Sequence, residues 1–195
     1  MRTSTLERLT RHLRSGRVYR REDLLPWSRS LDRHLKELML DGKLQKLRTG
    51  LYYCPRRYEF GQAPADEYEL VKAFLRTDHF VVASPNLYNE LGLGTKQLYN
   101  KRVIYNQKRH GTFAFGNRTL TFERRPNIPK QLSQEFLLVD LVNELDEVAE
   151  DRDAIYSRVS ERAERMDPRK LSRAVNRYGT RSTQRKFREL LQSAR

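Results

Sequence analysis

Arg29, Arg33 and Lys36 stand at spacings of four and three, on the faces that an apolar stripe of Leu31, Leu35, Leu38 and Met39 leaves free. Guanidinium and ammonium groups at the leading end of a helix donate hydrogen bonds to phosphate oxygens and to guanine edges in the major groove. A second basic group follows in Lys46, Arg48 and Thr49, around a Thr49-Gly50 turn, where a β-loop can meet phosphate or the minor groove. Within it, Arg48 is the residue first expected to touch the nucleic-acid backbone or the minor groove. Arg20 and Arg21 open the preceding short helix and are candidate phosphate clamps. Ser28 and Ser30 are expected as helix caps, with phosphate contact as an additional role.

Near the C-terminus Lys170, Arg173, Arg177, Arg181, Arg185, Lys186 and Arg188, with Arg169 beside them, form a possible second basic surface. This surface suits DNA beyond the first contact, or an acidic patch on a protein. It can equally neutralise the adjacent acidic block Glu144 to Asp153 by packing against it; residues 131–151 hold seven acids and no base.

Catalytic chemistry finds little to work with. His12, His34, His79 and His110 are dispersed, and none has metal-ligand spacing. The single cysteine, Cys54, can form neither an internal disulfide nor a thiolate-based zinc site. Asp41-Gly42-Lys43 resembles the end of a nuclease core but has no partner acid upstream on a strand. The expectation is a protein that is not an enzyme, with no cofactor, no metal and no catalytic residue.

Charge points the same way. The 195 residues carry 39 basic and 25 acidic side chains, a net charge of +14. The first 60 residues hold 15 bases against 7 acids. Such an excess attracts polyanions over a Debye length. No apolar run approaches the roughly 20 residues that span a bilayer, and residues 1–13 lack a secretory core. A cytoplasmic protein with no membrane partner is expected.

The elements that must hold these side chains follow from periodicity. Leu6, Leu9 and Leu13 mark an amphipathic helix, ended at Ser15-Gly16. Val18-Tyr19 reads as an extended link, and Arg21 to Leu25 as a short helix stopped before Pro26. A third helix runs from Ser28 or Ser30 to Gly42, then strands Lys43–Leu47 and Leu51–Cys54 form a hairpin. Of Tyr52 and Tyr53, alternation sends one to the core, and Trp27 reads as a core anchor.

Three helices and a hairpin in this order predict a winged helix-turn-helix over residues 1–60. Gly61 to Pro64 reads as a linker. Residues 61–130 then form a small α+β unit, with helices at Asp66–Arg76 and Pro85–Leu91, and strands at His79–Ala83, Val103–Asn106, Thr112–Phe115 and Thr119–Phe122. Residues 131–195 are expected to be helical, with Asp167 capping a helix that begins at Pro168. The class is α+β, in which residues 61–195 can also act as one domain.

Several of these runs resemble a known family. Ser28 to Arg33, Leu35, Leu38, Asp41-Gly42-Lys43-Leu44 and Leu47-Arg48-Thr49-Gly50-Leu51-Tyr52-Tyr53 are similar to the N-terminal domain of AbiEi-type antitoxins, regulators of type IV, abortive-infection toxin–antitoxin systems. Ser84-Pro85-Asn86-Leu87-Tyr88-Asn89-Glu90-Leu91-Gly92-Leu93, Val103-Ile104-Tyr105 and Phe115 to Phe122 resemble its middle segment, and Arg177-Tyr178-Gly179 with Thr183 to Leu191 resembles its closing helix. Where that family continues with Ser/Thr-x-Gln-x-Pro, this chain reads Gly94-Thr95-Lys96-Gln97-Leu98-Tyr99, without the proline.

The resemblance implies a sequence-specific autorepressor that binds inverted repeats in its own promoter. It also implies an antitoxin acting against a cognate nucleotidyltransferase-like toxin. A winged-helix adaptor that docks only protein is the alternative, and a DNA nuclease ranks last.

Overall fold

The computed structural model describes residues 4–59, 61–84, 86–89, 91–92, 102–145 and 152–193. The fold is mixed α+β, with three small sheets among the described residues. The chain divides into two compact units: residues 1–78 with 112–120, and residues 79–111 with 121–195. Residues 61–78 and 112–120 fall in the first unit, and residues 79–111 and 121–130 in the second.

The first unit opens with α1 (Thr5–His12). The Ser4 hydroxyl accepts from the Glu7 amide at 3.1 Å and the Glu7 carboxylate accepts from the Ser4 amide at 3.0 Å, a reciprocal cap that satisfies two otherwise orphaned donors. Next come β1 (Val18–Arg20), α2 (Arg21–Leu24) and a 3₁₀ turn over Leu25–Trp27. Pro26 ends the α-helix as expected, but the chain tightens into 3₁₀ geometry, which tolerates proline in its first turn. After α3 (Leu31–Leu40) the strands β2 (Gln45–Arg48) and β3 (Leu51–Tyr53) return as a hairpin. Gly50 adopts φ +76° in the turn, a conformation that a side chain would strain.

Val18–Arg20 is a strand and not a link: it pairs antiparallel with β3, Val18 opposite Tyr53 and Arg20 opposite Leu51. The sheet order is β1-β3-β2. This pairing joins residues more than thirty apart, so no local pattern announces it. Leu9, Leu24, Leu31, Leu35, Leu38, Leu44 and Tyr52 make one buried cluster under the helices, each large side chain contributing about 1.5–3 kcal/mol by leaving water.

The segment read as a linker is also structured. β4 (Arg56–Tyr58) pairs with β5 (Gly61–Ala63) as a two-stranded hairpin. The Tyr53 hydroxyl donates to the Ala63 carbonyl at 2.9 Å, so both Tyr52 and Tyr53 are buried where alternation allowed for one. Trp27 packs on the cluster as expected and stacks on His12 at 4.1 Å. α4 (Glu67–Leu75) closes this part of the chain, capped by Asp66.

Further along the chain come β6 (Val81–Ala83), the short α5 (Asn86–Asn89), β7 (Val103–Asn106), β8 (Gly111–Phe115) and β9 (Arg118–Arg124). Strand order is β6-β7-β9-β8, with β7 and β9 parallel. The turn-proximal part of the β8–β9 hairpin, residues 112–120, belongs to the first unit. Gly116 takes φ +61° at that turn, as the Gly116-Asn117 step predicts.

Four helices complete the second unit: α6 (Gln134–Glu144), α7 (Arg152–Glu164), α8 (Pro168–Tyr178) and α9 (Arg181–Ser193). Phe136 to Val142 of α6 are buried without a break, as a central helix requires. Asp140 lies within that run at 0% exposure, and is tied to Arg125 and to the Tyr88 and Tyr105 hydroxyls at 2.7 and 3.2 Å. Asp167 caps α8 through the amides of Arg169 and Lys170, as its position before Pro168 foretold. Among the described residues no helix is long and apolar enough to cross a membrane.

Candidate nucleic-acid interface

The geometry of α3 comes first from its buried side. Leu31, His34, Leu35 and Leu38 point into the first unit's interior, so the periodicity of the helix sends Asp32, Arg33, Lys36 and Leu40 outward. Arg29, just before the helix, Arg33 and Lys36 are all exposed. The apolar stripe expected from sequence is buried at Leu31, Leu35 and Leu38.

Arg21 is engaged within the protein. Its Nε donates to Asp32 Oδ1 at 2.8 Å and its Nη2 to Asp32 Oδ2 at 2.7 Å, a bidentate bridge from α2 to the first turn of α3. These bonds hold the Asp32 carboxyl below the usual carboxylate range, and Lys36 one turn on adds attraction. Arg20 ends β1, and its Nε and Nη1 are buried without a hydrogen-bond partner.

The two serines do not cap α3 with their side chains. Ser30 occupies the N-cap position but its hydroxyl makes no capping bond, and it remains exposed. Ser28 is 4% exposed, with Oγ 2.7 Å from Nδ1 of the equally buried His34. A buried hydroxyl cannot reach a phosphate, so Ser28 is a packing residue. Arg33 Nη2 lies 3.4 Å from the other ring nitrogen of His34.

The hairpin behaves differently from the sequence expectation. Lys46 and Thr49 are exposed at its outer end. Arg48, the residue first expected at the backbone or minor groove, is turned inward within the first unit. Its guanidinium carbon lies 4.9 Å from the Phe113 ring centre, 5.5 Å from that of Phe74 and 5.9 Å from that of Phe115.

A bulge between Lys46 and Arg48 produces this turn. One extra residue in a strand kinks it and re-aims the side chains beyond. The Leu47 carbonyl, freed at the bulge, accepts from the Gly116 amide at 2.7 Å. Three aromatic rings scattered over forty residues leave no local signal for such a cage.

In the second unit Lys170, Arg173, Arg177, Arg181, Arg185 and Arg188 are exposed along α8 and α9, as is Arg169. Lys186 is half-buried, with its ammonium bonded to the Tyr156 hydroxyl and 4.8 Å from the centre of that ring. The acidic block meant to neutralise them falls partly on residues 146–151, outside the described residues; Glu144 accepts from Arg125 Nη2 at 2.7 Å. The departing segment Gly94 to Tyr99 also lies outside them. No group of three or more potential metal ligands is gathered among the described residues.

The sequence reading passed over Asp32. An acid in the first turn of a basic helix, eleven residues after an arginine, was the available signal.

No family model and no curated protein matches the chain. Among solved structures, the crystal structure of the RV2827C protein from Mycobacterium tuberculosis is similar, with a TM-score of 0.58 at 18% sequence identity, covering 96% of this chain and 75% of that one. At that identity the likeness is one of fold.

Proposed function

We propose that the chain is a sequence-specific DNA-binding autorepressor whose first unit is a winged helix-turn-helix, and that it serves as the antitoxin of a type IV toxin–antitoxin pair. The observation that carries the DNA half is the exposure of Arg33 and Lys36 on α3, and of Arg29 just before it, on a helix whose Leu31, Leu35 and Leu38 are buried. The order helix, strand, helix, helix, strand, strand, with the sheet order β1-β3-β2, supports it. So does the net charge of +14. In this reading α3 enters the major groove, while Lys46 and Thr49 at the hairpin meet the flanking backbone. Arg48 is left out of the contact. The exposed bases of α8 and α9 supply a second surface for an anionic partner. The antitoxin half rests on the motif resemblance, with a nucleotidyltransferase-like toxin as the partner.

The test is footprinting and salt-dependent binding on the chain's own upstream region. Protection of an inverted repeat is expected, with affinity falling by orders of magnitude as salt rises from about 50 to 200 mM. Arg33→Ala should weaken repeat binding more than random-duplex binding if Arg33 reads a base. Equal affinity for the repeat and for random duplex would reject the autorepressor. Growth rescue on co-expression with a neighbouring nucleotidyltransferase tests the antitoxin half.

A further inference from the structure

We infer that Asp32 is a specificity-determining residue, which accepts a hydrogen bond from the exocyclic amine of a cytosine and is oriented for that task by Arg21. The inference rests on the duplex-binding reading above.

Asp32 is the second residue of α3, adjacent to Arg33 and one turn before Lys36, and its side chain is 68% exposed. A carboxylate at this position repels every phosphate that the neighbouring cations attract. It lowers general affinity for DNA. A carboxylate does, however, recognise one feature of the major groove. The cytosine N4 amine is a donor with no acceptor beside it on its own base, whereas the adenine amine sits next to N7, whose lone pair a carboxylate repels.

Orientation is the second requirement, and Arg21 meets it. The paired bonds of 2.8 and 2.7 Å fix the plane of the carboxylate relative to α2. An ionised carboxylate has about four acceptor positions, so the fork from Arg21 leaves lone pairs on both oxygens. Arg21 is thus a positioning residue. It also offsets much of the cost of carrying a negative charge toward the duplex.

The deciding experiment is selection from a random-sequence duplex pool with the full chain, comparing wild type, Asp32→Asn, Arg21→Lys and Arg21→Ala. Wild type should enrich a site with cytosine at a defined position of each half. Asp32→Asn should lose that preference and bind the selected site about 5- to 150-fold more weakly. The same variant should bind mixed-sequence duplex more tightly, because a negative charge has gone. Arg21→Ala should blur the cytosine preference with Asp32 intact, and Arg21→Lys should restore it only in part, since an ammonium cannot make the fork.

An Asp32→Asn protein that gains affinity for both DNAs and selects the same sequence would overturn the inference while leaving DNA binding in place. Equal losses on both DNAs, with a lowered unfolding midpoint, would make Asp32 structural and overturn it too. A wild type that enriches no sequence removes this inference and the autorepressor together.

Discussion

The guanidinium carbon of Arg48 sits 4.9 Å from the ring centre of Phe113, with Phe74 and Phe115 completing an aromatic enclosure. A cation over a ring face contributes about 0.5–2 kcal/mol, depending on how far it is desolvated. Arg48→Ala is therefore expected to lower stability by about 1–2 kcal/mol in urea titration. It should leave the salt dependence of DNA binding unchanged. Lys46→Ala should do the reverse, flattening the salt slope by about one unit with little effect on stability. A flattened slope in Arg48→Ala would return Arg48 to the DNA surface.

Ser28 and His34 make a buried pair at the foot of α3. Ser28→Ala removes the partner of a ring nitrogen that solvent cannot reach, which costs about 1–3 kcal/mol. Denaturant unfolding should show that loss. Binding to the promoter, measured well below the unfolding midpoint, should change little. Weaker binding with unchanged stability would show that Ser28 contacts DNA after all.

Arg125 is the only cation bonded to buried Asp140 among the described residues, and it also pairs with Glu123 and Glu144 at 2.7 Å each. Its guanidinium carbon lies 3.5 Å from the centre of the Tyr105 ring. Burial and the Asp140 charge push the Tyr88 and Tyr105 hydroxyls far above the ordinary tyrosine range, so both stay protonated and donate to the carboxylate. Arg125→Ala strands that carboxylate in the core and should destabilise the chain by about 3–5 kcal/mol. Adding Asp140→Asn should recover a good part of the loss. A double variant no more stable than the single one would refute this account.

Asp167 is held below the ordinary aspartate range by the amides of Lys170 and Arg169, which its carboxylate accepts at the start of α8. Because the folded value is depressed, its stabilising effect is complete above the unfolded aspartate pKa. It disappears as pH falls through the folded value. Wild type should exceed Asp167→Ala in melting temperature at neutral pH, and the gap should close in acid. A gap independent of pH would mean that the charge of the cap contributes nothing.

Much of the fold was legible because it is encoded over short distances. The apolar stripe of α3, the Pro168 start of α8 and the Gly116-Asn117 turn each depend on residues within a turn or two of one another, and local sterics and amphipathicity act at that range. The exposed positions of Arg33 and Lys36 followed directly, since burying one face of a helix exposes the other.

Three features required tertiary structure. Val18–Arg20 became a strand only because β3 offered an unpaired edge thirty residues away. Arg48 turned inward because a bulge aimed it at rings from two distant segments, Phe74 of α4 and Phe113 and Phe115 of β8. Arg21 found Asp32 only once α2 had docked on α3. Composition sets how much charge and apolar surface a chain carries. Which cation faces solvent and which is consumed internally depends on non-local contacts, and these are set only when the chain closes on itself.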